Sequence, residues 1–148
     1  MSRQLITFQL GDQYLGVDIM AIREIKGWVP ATQLPDLPRY MRGVIDLRGA
    51  IVPILDLRAR FGGDLTEASP RHVIMVVAVG DKVAGILVDA VADILAIEDK
   101  DIQPVPDLEG GSSHAFLSGL VTVQGRMVAL LDLEHVFDLN AVADALAA

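Results

Sequence analysis

Apolar residues recur along the chain in short runs, many alternating with polar positions, and the runs are punctuated by glycine. Gly11-Asp12, Gly49-Ala50, Gly80-Asp81 and Gly125-Arg126 each stand between two apolar-rich segments. Glycine takes the first central position of a type II′ turn at positive φ without steric cost, so each pair predicts a two-residue hairpin. The flanking residues 4–10, 43–48, 51–57, 71–79, 83–89 and 120–133 are rich in Val, Ile and Leu, which suit a pleated, half-buried surface. Eight or more short strands at regular spacing predict an all-β chain, either a barrel or a sandwich.

The turns also reveal an internal repeat. At an offset of 76, Gly43, Gly49, Val52, Leu55, Asp56, Leu57 and Phe61 match Gly119, Gly125, Val128, Leu131, Asp132, Leu133 and Phe137, seven identities within nineteen positions. Upstream the offset is 69, where Gly11, Asp12 and Gly16 match Gly80, Asp81 and Gly85. Glycines, a turn and an Asp-Leu pair align together, which predicts two similar small barrels, divided approximately into residues 1–68 and 69–148.

With Gly49-Ala50 as the turn, Arg48 is expected opposite Ile51 and Ile45 opposite Ile54. Ile45, Leu47, Val52 and Ile54 then share an apolar face suited to a barrel interior, while Val44, Asp46, Arg48, Ile51, Pro53 and Leu55 form a mixed outward face. That face is more apolar than a solvated strand requires, so either the second barrel or a partner is expected against it. Each repeat ends in Leu-Asp-Leu and a helix-like stretch, 58–61 and 134–137, with Asp56 or Asp132 at the N-cap. Apolar spacing over residues 132–146 predicts a closing amphipathic helix, which Asn140 interrupts.

Composition bounds this picture. A chain of 148 residues, 52% hydrophobic and 22% charged, is of ordinary globular make-up. At that length it buries about 68–70% of its unfolded surface. It has no cysteine, so neither a disulfide framework nor a thiolate metal site is possible. The first four residues lack an apolar signal core, and the apolar run 73–79 is far shorter than the roughly 20 residues of a membrane span. A cytoplasmic protein without direct membrane insertion is expected. Net charge is −8, distributed as nine Lys/Arg against eight Asp/Glu in residues 1–71 and three against twelve in 72–148. Neither part has the basic footprint that nucleic-acid binding requires.

Candidate chemistry is sparse. Asp56 and Asp132 suggest paired catalytic carboxylates, but helix capping accounts for each. His72, His114 and His135 form no metal-binding spacing. Ser112-Ser113-His114 follows Gly110-Gly111 without a nucleophile elbow, and the acidic run 98–101 lacks the spacing of a calcium loop. No cofactor is called for. The rival to a binding protein is a small hydrolase using Asp56, Asp132 or His114.

Against this background, Gly43-Val-Ile-Asp-Leu-Arg-Gly49 resembles the G-x-x-N-L-R-G signature of CheW-like domains, with Asp46 in place of the usual asparagine. The resemblance extends over Phe8-x-Leu-Gly, Gly16-Val-Asp-Ile19, Ile22-Arg-Glu-Ile25, the segment following Ile51, Gly85-Ile-Leu-Val-Asp89-x-Val91, Ile102-x-Pro104 and residues 119–133, nearly the whole chain. It implies two five-stranded SH3-like barrels on a shared hydrophobic core, with short helices and a C-terminal helix. It also implies a non-catalytic adaptor, a monomer when free, recruited to membrane-associated receptor arrays. One of its surfaces binds the regulatory domain of a CheA-type histidine kinase and another a chemoreceptor cytoplasmic tip. A CheW-like module of another two-component pathway is the alternative within the family. By this resemblance Ile19, Ile22 and Glu24 contact the kinase, although the isoleucine spacing fits burial equally well. Arg48 serves receptor and kinase coupling, and Val44, Val73 and Ile94 line a receptor groove between the barrels.

Overall fold

The computed structural model describes residues 2–106 and 116–137. Ten strands are present among them: β1 (Ser2–Leu10), β2 (Gln13–Asp18), β3 (Ile22–Gly27), β4 (Met41–Leu47), β5 (Ala50–Asp56), β6 (Val73–Val79), β7 (Lys82–Val88), β8 (Ala90–Glu98), β9 (Leu117–Val123) and β10 (Arg126–Leu131). One helical turn follows each repeated Leu-Asp, α1 (Leu57–Arg60) after β5 and α2 (Leu133–Val136) after β10. The remainder of the expected C-terminal helix, Asn140 included, lies outside the described residues, as does His114.

The strands form two five-stranded sheets with orders β8-β1-β2-β10-β9 and β3-β6-β7-β5-β4. Replacing each strand number by its repeat equivalent converts one order into the other, so the repeat is a true structural pseudo-symmetry. The two halves are interleaved rather than side by side. Hairpin β1-β2 pairs in parallel with β10 of the second repeat, and β5 of the first pairs in parallel with β7 of the second. A boundary near residue 68 therefore separates the repeats in sequence but not the barrels in space. Isolated bridges Thr32–Val44 and Gln103–Leu120, at repeat-equivalent positions on β4 and β9, bring the free edges toward closure.

Two turns obey the expected register and two do not. Leu10 faces Gln13 and Val79 faces Lys82, leaving Gly11-Asp12 and Gly80-Asp81 as the central pairs. In the other hairpins Leu47 faces Ala50 and Val123 faces Arg126, so the turns are Arg48-Gly49 and Gln124-Gly125. Both residues of each have positive φ, +53° and +88° in the first, as a type I′ turn requires. From Gly43 to Leu47 the correction moves each partner on β5 by two positions: Ile45 faces Val52, not Ile54. A shift of two preserves the side-chain period, which is why the expected faces survive.

Three apolar clusters result among the described residues. Ile45, Val52, Ile54, Ile74, Val76 and Leu87 fill the β3–β7 barrel, and Leu5, Ile97, Val121, Val128 and Leu130 the other. The largest cluster joins the barrels through strand residues of the opposite parity, including Phe8, Leu15, Leu55, Met75 and Ile86. This assigns part of the mixed face: Leu55 is covered by the second barrel, while Ile51 remains 53% exposed. Gly43 is obligatory at its crossing, because a Cβ there would lie 2.2 Å from the Thr32 carbonyl oxygen.

Candidate partner-binding surface

The aspartates that end β5 and β10 have structural partners. Asp56 is fully buried and accepts from Ala59 N, from Thr66 N and Oγ1 at 2.8 and 2.9 Å, and from Arg42 at 3.2 Å. Arg42 also donates to the Thr66 carbonyl and lies over Trp28. Asp56 thus caps α1 and anchors the loop before β6, inaccessible to a substrate. Asp132 caps α2 through Glu134 N and His135 N and pairs with the His135 ring at 2.6 Å. Among the described residues no group of three or more His, Asp or Glu side chains could hold a metal ion.

Glu24 and Arg48, expected at partner contacts, meet each other. Arg48 Nη2 donates to Glu24 Oε1 at 2.7 Å, with the arginine side chain 76% exposed and the carboxylate 24%. The link spans from β3 to the tip of β4-β5. Arg48 therefore sits within the turn rather than before it, and it pairs with Glu24 rather than Asp46, whose carboxylate accepts from Gly49 N instead. A bulge in β3 between Ile22 and Glu24 resets the register, placing Glu24 opposite the barrel-interior residue Val76. Its Oε2 is buried and accepts no hydrogen bond from the described residues.

Ile19, in a 3-10 turn capped by Asp18, and Ile22, at the start of β3, are half-buried against the shared core. The exposed apolar residue of that segment is Met20, at 79%. Val44, Val73 and Ile94 lie on β4, β6 and β8, none of which pair with one another. Val44 is buried under the Thr32 bridge, Val73 packs against the shared core and Ile94 is exposed.

Beside Glu24 and Arg48 opens a cleft of about 490 Å³ between hairpins β4-β5 and β6-β7, which sequence reasoning did not find. Val52, Val76 and Ala84 form its floor, while Ile51 and Val83 stand exposed on its walls. Among the described residues of its lining, Arg23, Arg48 and Lys82 bring three positive charges against the one carboxylate of Glu24. The available signal was Ile51 on the mixed face; the wall contributed by β7 depends on a parallel pairing that sequence does not display.

Two interleaved β-barrels with structurally committed aspartates and a charged rim beside an apolar cleft define a protein of the binding-scaffold class. Residues 4–141 match the model of the CheW-like domain, and the chain belongs to that family. It is 50% identical over 135 residues to the chemotaxis protein CheW of Rhizobium meliloti (strain 1021), covering 91% of this chain and 87% of that one. Identity to the CheW of Klebsiella aerogenes is 33% over 143 residues, 97% of this chain and 86% of the relative. The crystal structure of the scaffolding protein TtCheW from Thermoanaerobacter tengcongensis superposes with a TM-score of 0.86 at 30% identity, covering 95% of this chain and 96% of the other.

Proposed function

We propose that this protein is a cytoplasmic chemotaxis adaptor that joins the regulatory domain of a CheA-type histidine kinase to a chemoreceptor tip. As a CheW-like protein it is a scaffold and not an enzyme. It contributes effective concentration, together with a contact whose free energy differs between signalling states. The observation that carries the site is the Glu24–Arg48 ion pair at the barrel rim. Because these side chains bond to each other, they belong to one surface, which we assign to the kinase with Ile19 and Ile22 behind it. Of Val44, Val73 and Ile94 we keep the exposed Ile94 with the receptor. No described helix is long and apolar enough to cross a membrane, in keeping with recruitment by a receptor.

The test is titration calorimetry of the protein with a CheA regulatory domain and, separately, with a receptor tip fragment. Both should bind. Glu24→Lys should weaken the kinase complex by about thirtyfold, the loss of roughly 2 kcal/mol expected at an interface hot spot. Unchanged affinity for the kinase would remove the ion pair from that surface.

A further inference from the structure

At the offset of 76 that relates the repeats, Arg60 corresponds to Val136 and Tyr40 to Phe116. Arg60 Nε donates to the Val136 carbonyl at 2.7 Å, so this residue touches its own equivalent and lies at the pseudo-two-fold axis. Its guanidinium carbon is 4.1 and 4.4 Å from the centroids of the equivalent Tyr40 and Phe116 rings. The backbone obeys the symmetry here: Asp56 N donates to the Tyr40 carbonyl and Asp132 N to the Phe116 carbonyl, both at 2.7 Å. Arg60 and Tyr40 flank β5 and β4 of one barrel, whereas Val136 and Phe116 flank β10 and β9 of the other. The axis admits one such side chain, since arginines on both sides would set like charges in contact.

The other ties between the barrels hold them together more than they hold their angle. The shared core is apolar, and apolar burial is non-directional. Polar ties gather at one of the two places where the chain crosses between barrels. At the β7-β8 crossing Asp89 accepts from Gly11 N at 2.7 Å and stands 3.6 Å from Arg58 and 3.5 Å from His72. At the β2-β3 crossing the offset of 69 puts Met20 in the equivalent place, and it is 79% exposed. A thioether in solvent ties nothing. Barrels tied at one margin can rock about it, and the axis lies between the two margins.

We infer that Arg60 is the positioning residue that fixes the angle between the barrels, and that this angle governs whether a kinase held by one barrel is controlled by a receptor held by the other. A planar guanidinium stacked on a ring of each barrel and donating across the axis has one preferred orientation, so tilting either barrel disturbs the stack and the hydrogen bond together. An apolar side chain in its place fills the space without that direction. The link to signalling rests on the adaptor reading, in which Glu24 and Arg48 lie on one barrel and Ile94 on the other. The mechanical role of Arg60 stands without it.

Arg60→Met keeps apolar volume and removes the charge, the plane and the donor. The chain has no cysteine, so Asp81→Cys and Thr122→Cys, exposed positions on the β6-β7 turn and on β9, place one spin label on each barrel. Pulsed electron double resonance should give a broader distance distribution in Arg60→Met than in the wild-type background. Leu130→Ala, which loosens the interior of one barrel, should melt earlier without broadening it. Symmetry supplies a rescue: Arg60→Val with Val136→Arg carries the arginine across the axis and should restore the narrow distribution. By calorimetry Arg60→Met should bind a CheA regulatory domain and a receptor tip fragment, each alone, as wild type does. Receptor-dependent kinase activity in a reconstituted mixture should nevertheless fall about tenfold, an ordinary coupling between two sites on one protein. Should Arg60→Met fail to fold, Arg60→Lys takes its place with the same expectations. A wild-type distribution in the folded variant, equal broadening in Leu130→Ala, or a folded exchange variant that stays broad overturns the positioning role. Broadening with unchanged kinase activity, or with weakened binding of either partner alone, overturns the link to signalling. Failure of the wild-type protein to bind either partner overturns the adaptor reading instead, and the distance distribution still decides the role of Arg60.

Discussion

Replacing Asp56 by alanine removes one carboxylate from four donors and leaves Arg42, only 21% exposed, without its anion. Breaking a buried, hydrogen-bonded ion pair from one side costs about 3 kcal/mol at the lower end of its range, and losing an N-cap adds about 1 kcal/mol. For a chain near 150 residues each kcal/mol moves the melting temperature by about 2–4 °C, so Asp56→Ala should melt roughly 8–16 °C below wild type. The repeat provides an internal control. Asp132 performs the same capping at the equivalent position, but its additional partner is His135, whose side chain is 68% exposed. Surface pairs contribute about 0–1 kcal/mol, so Asp132→Ala should cost little beyond the cap, about 2–4 °C. Differential scanning calorimetry on the two variants measures the contrast directly. Melting temperatures that fall by the same amount would refute the claim that the Arg42–Thr66 anchor distinguishes the two aspartates, and a large loss at Asp132 would reverse it.

Three further outcomes follow from the packing and the charge distribution. Arg60 lies between the Tyr40 and Phe116 rings, 4.1 and 4.4 Å from their centroids, and donates to the Val136 carbonyl at 2.7 Å. Arg60→Ala should therefore cost about 2 kcal/mol by denaturant titration, and Arg60→Lys should fall between it and wild type because an ammonium keeps the charge but not the planar stack. Gly43→Ala should cost about 3 kcal/mol or more, whereas Gly49→Ala, at φ +88° with no neighbour in reach, should cost only about 1–2 kcal/mol, measured as shifts in urea midpoint. The on-rate for a kinase regulatory domain should fall as salt shortens the Debye length from about 30 Å at 0.01 M to about 10 Å at 0.1 M; stopped-flow rates flat over that range would show that surface charge does not steer the encounter.

Much of the fold was legible because alternation and glycine punctuation are local. The strands around residues 4–10, 43–57 and 71–89, the two capping aspartates and the repeat could all be read from residue types and spacing. Turn register was half legible. Gly-Asp takes its glycine first, but Arg-Gly and Gln-Gly take it second, and neither Arg48 nor Gln124 is a residue that ordinarily signals positive φ. The exchange of hairpins was not legible at all, since alternation specifies which face of a strand is buried and says nothing of which hairpin lies beside it. The same limit applied to the site. Glu24 and Arg48 were each singled out, but their bond joins strands from opposite margins of one sheet, and the cleft exists only where β5 and β7 diverge. Ile19 and Ile22 show the converse difficulty: a spacing of three fits contact and burial alike, and the structure half-buries both while exposing Met20 between them.

The hairpin exchange also determines what a single repeat can do. An isolated first repeat would carry β1-β2 and β4-β5 but neither β10 nor β7, the parallel neighbours that those hairpins require. Its smallest saturated assembly would be a two-fold pair in which each copy lends a hairpin to the other. Connecting two such repeats in one polypeptide retains that closure while freeing corresponding positions to differ, as Tyr14 differs from Val83 and Arg126 from Ala50. A symmetric pair must present the same surface twice; the fused chain can present two different ones, the minimum requirement for bridging two unlike proteins with one small domain.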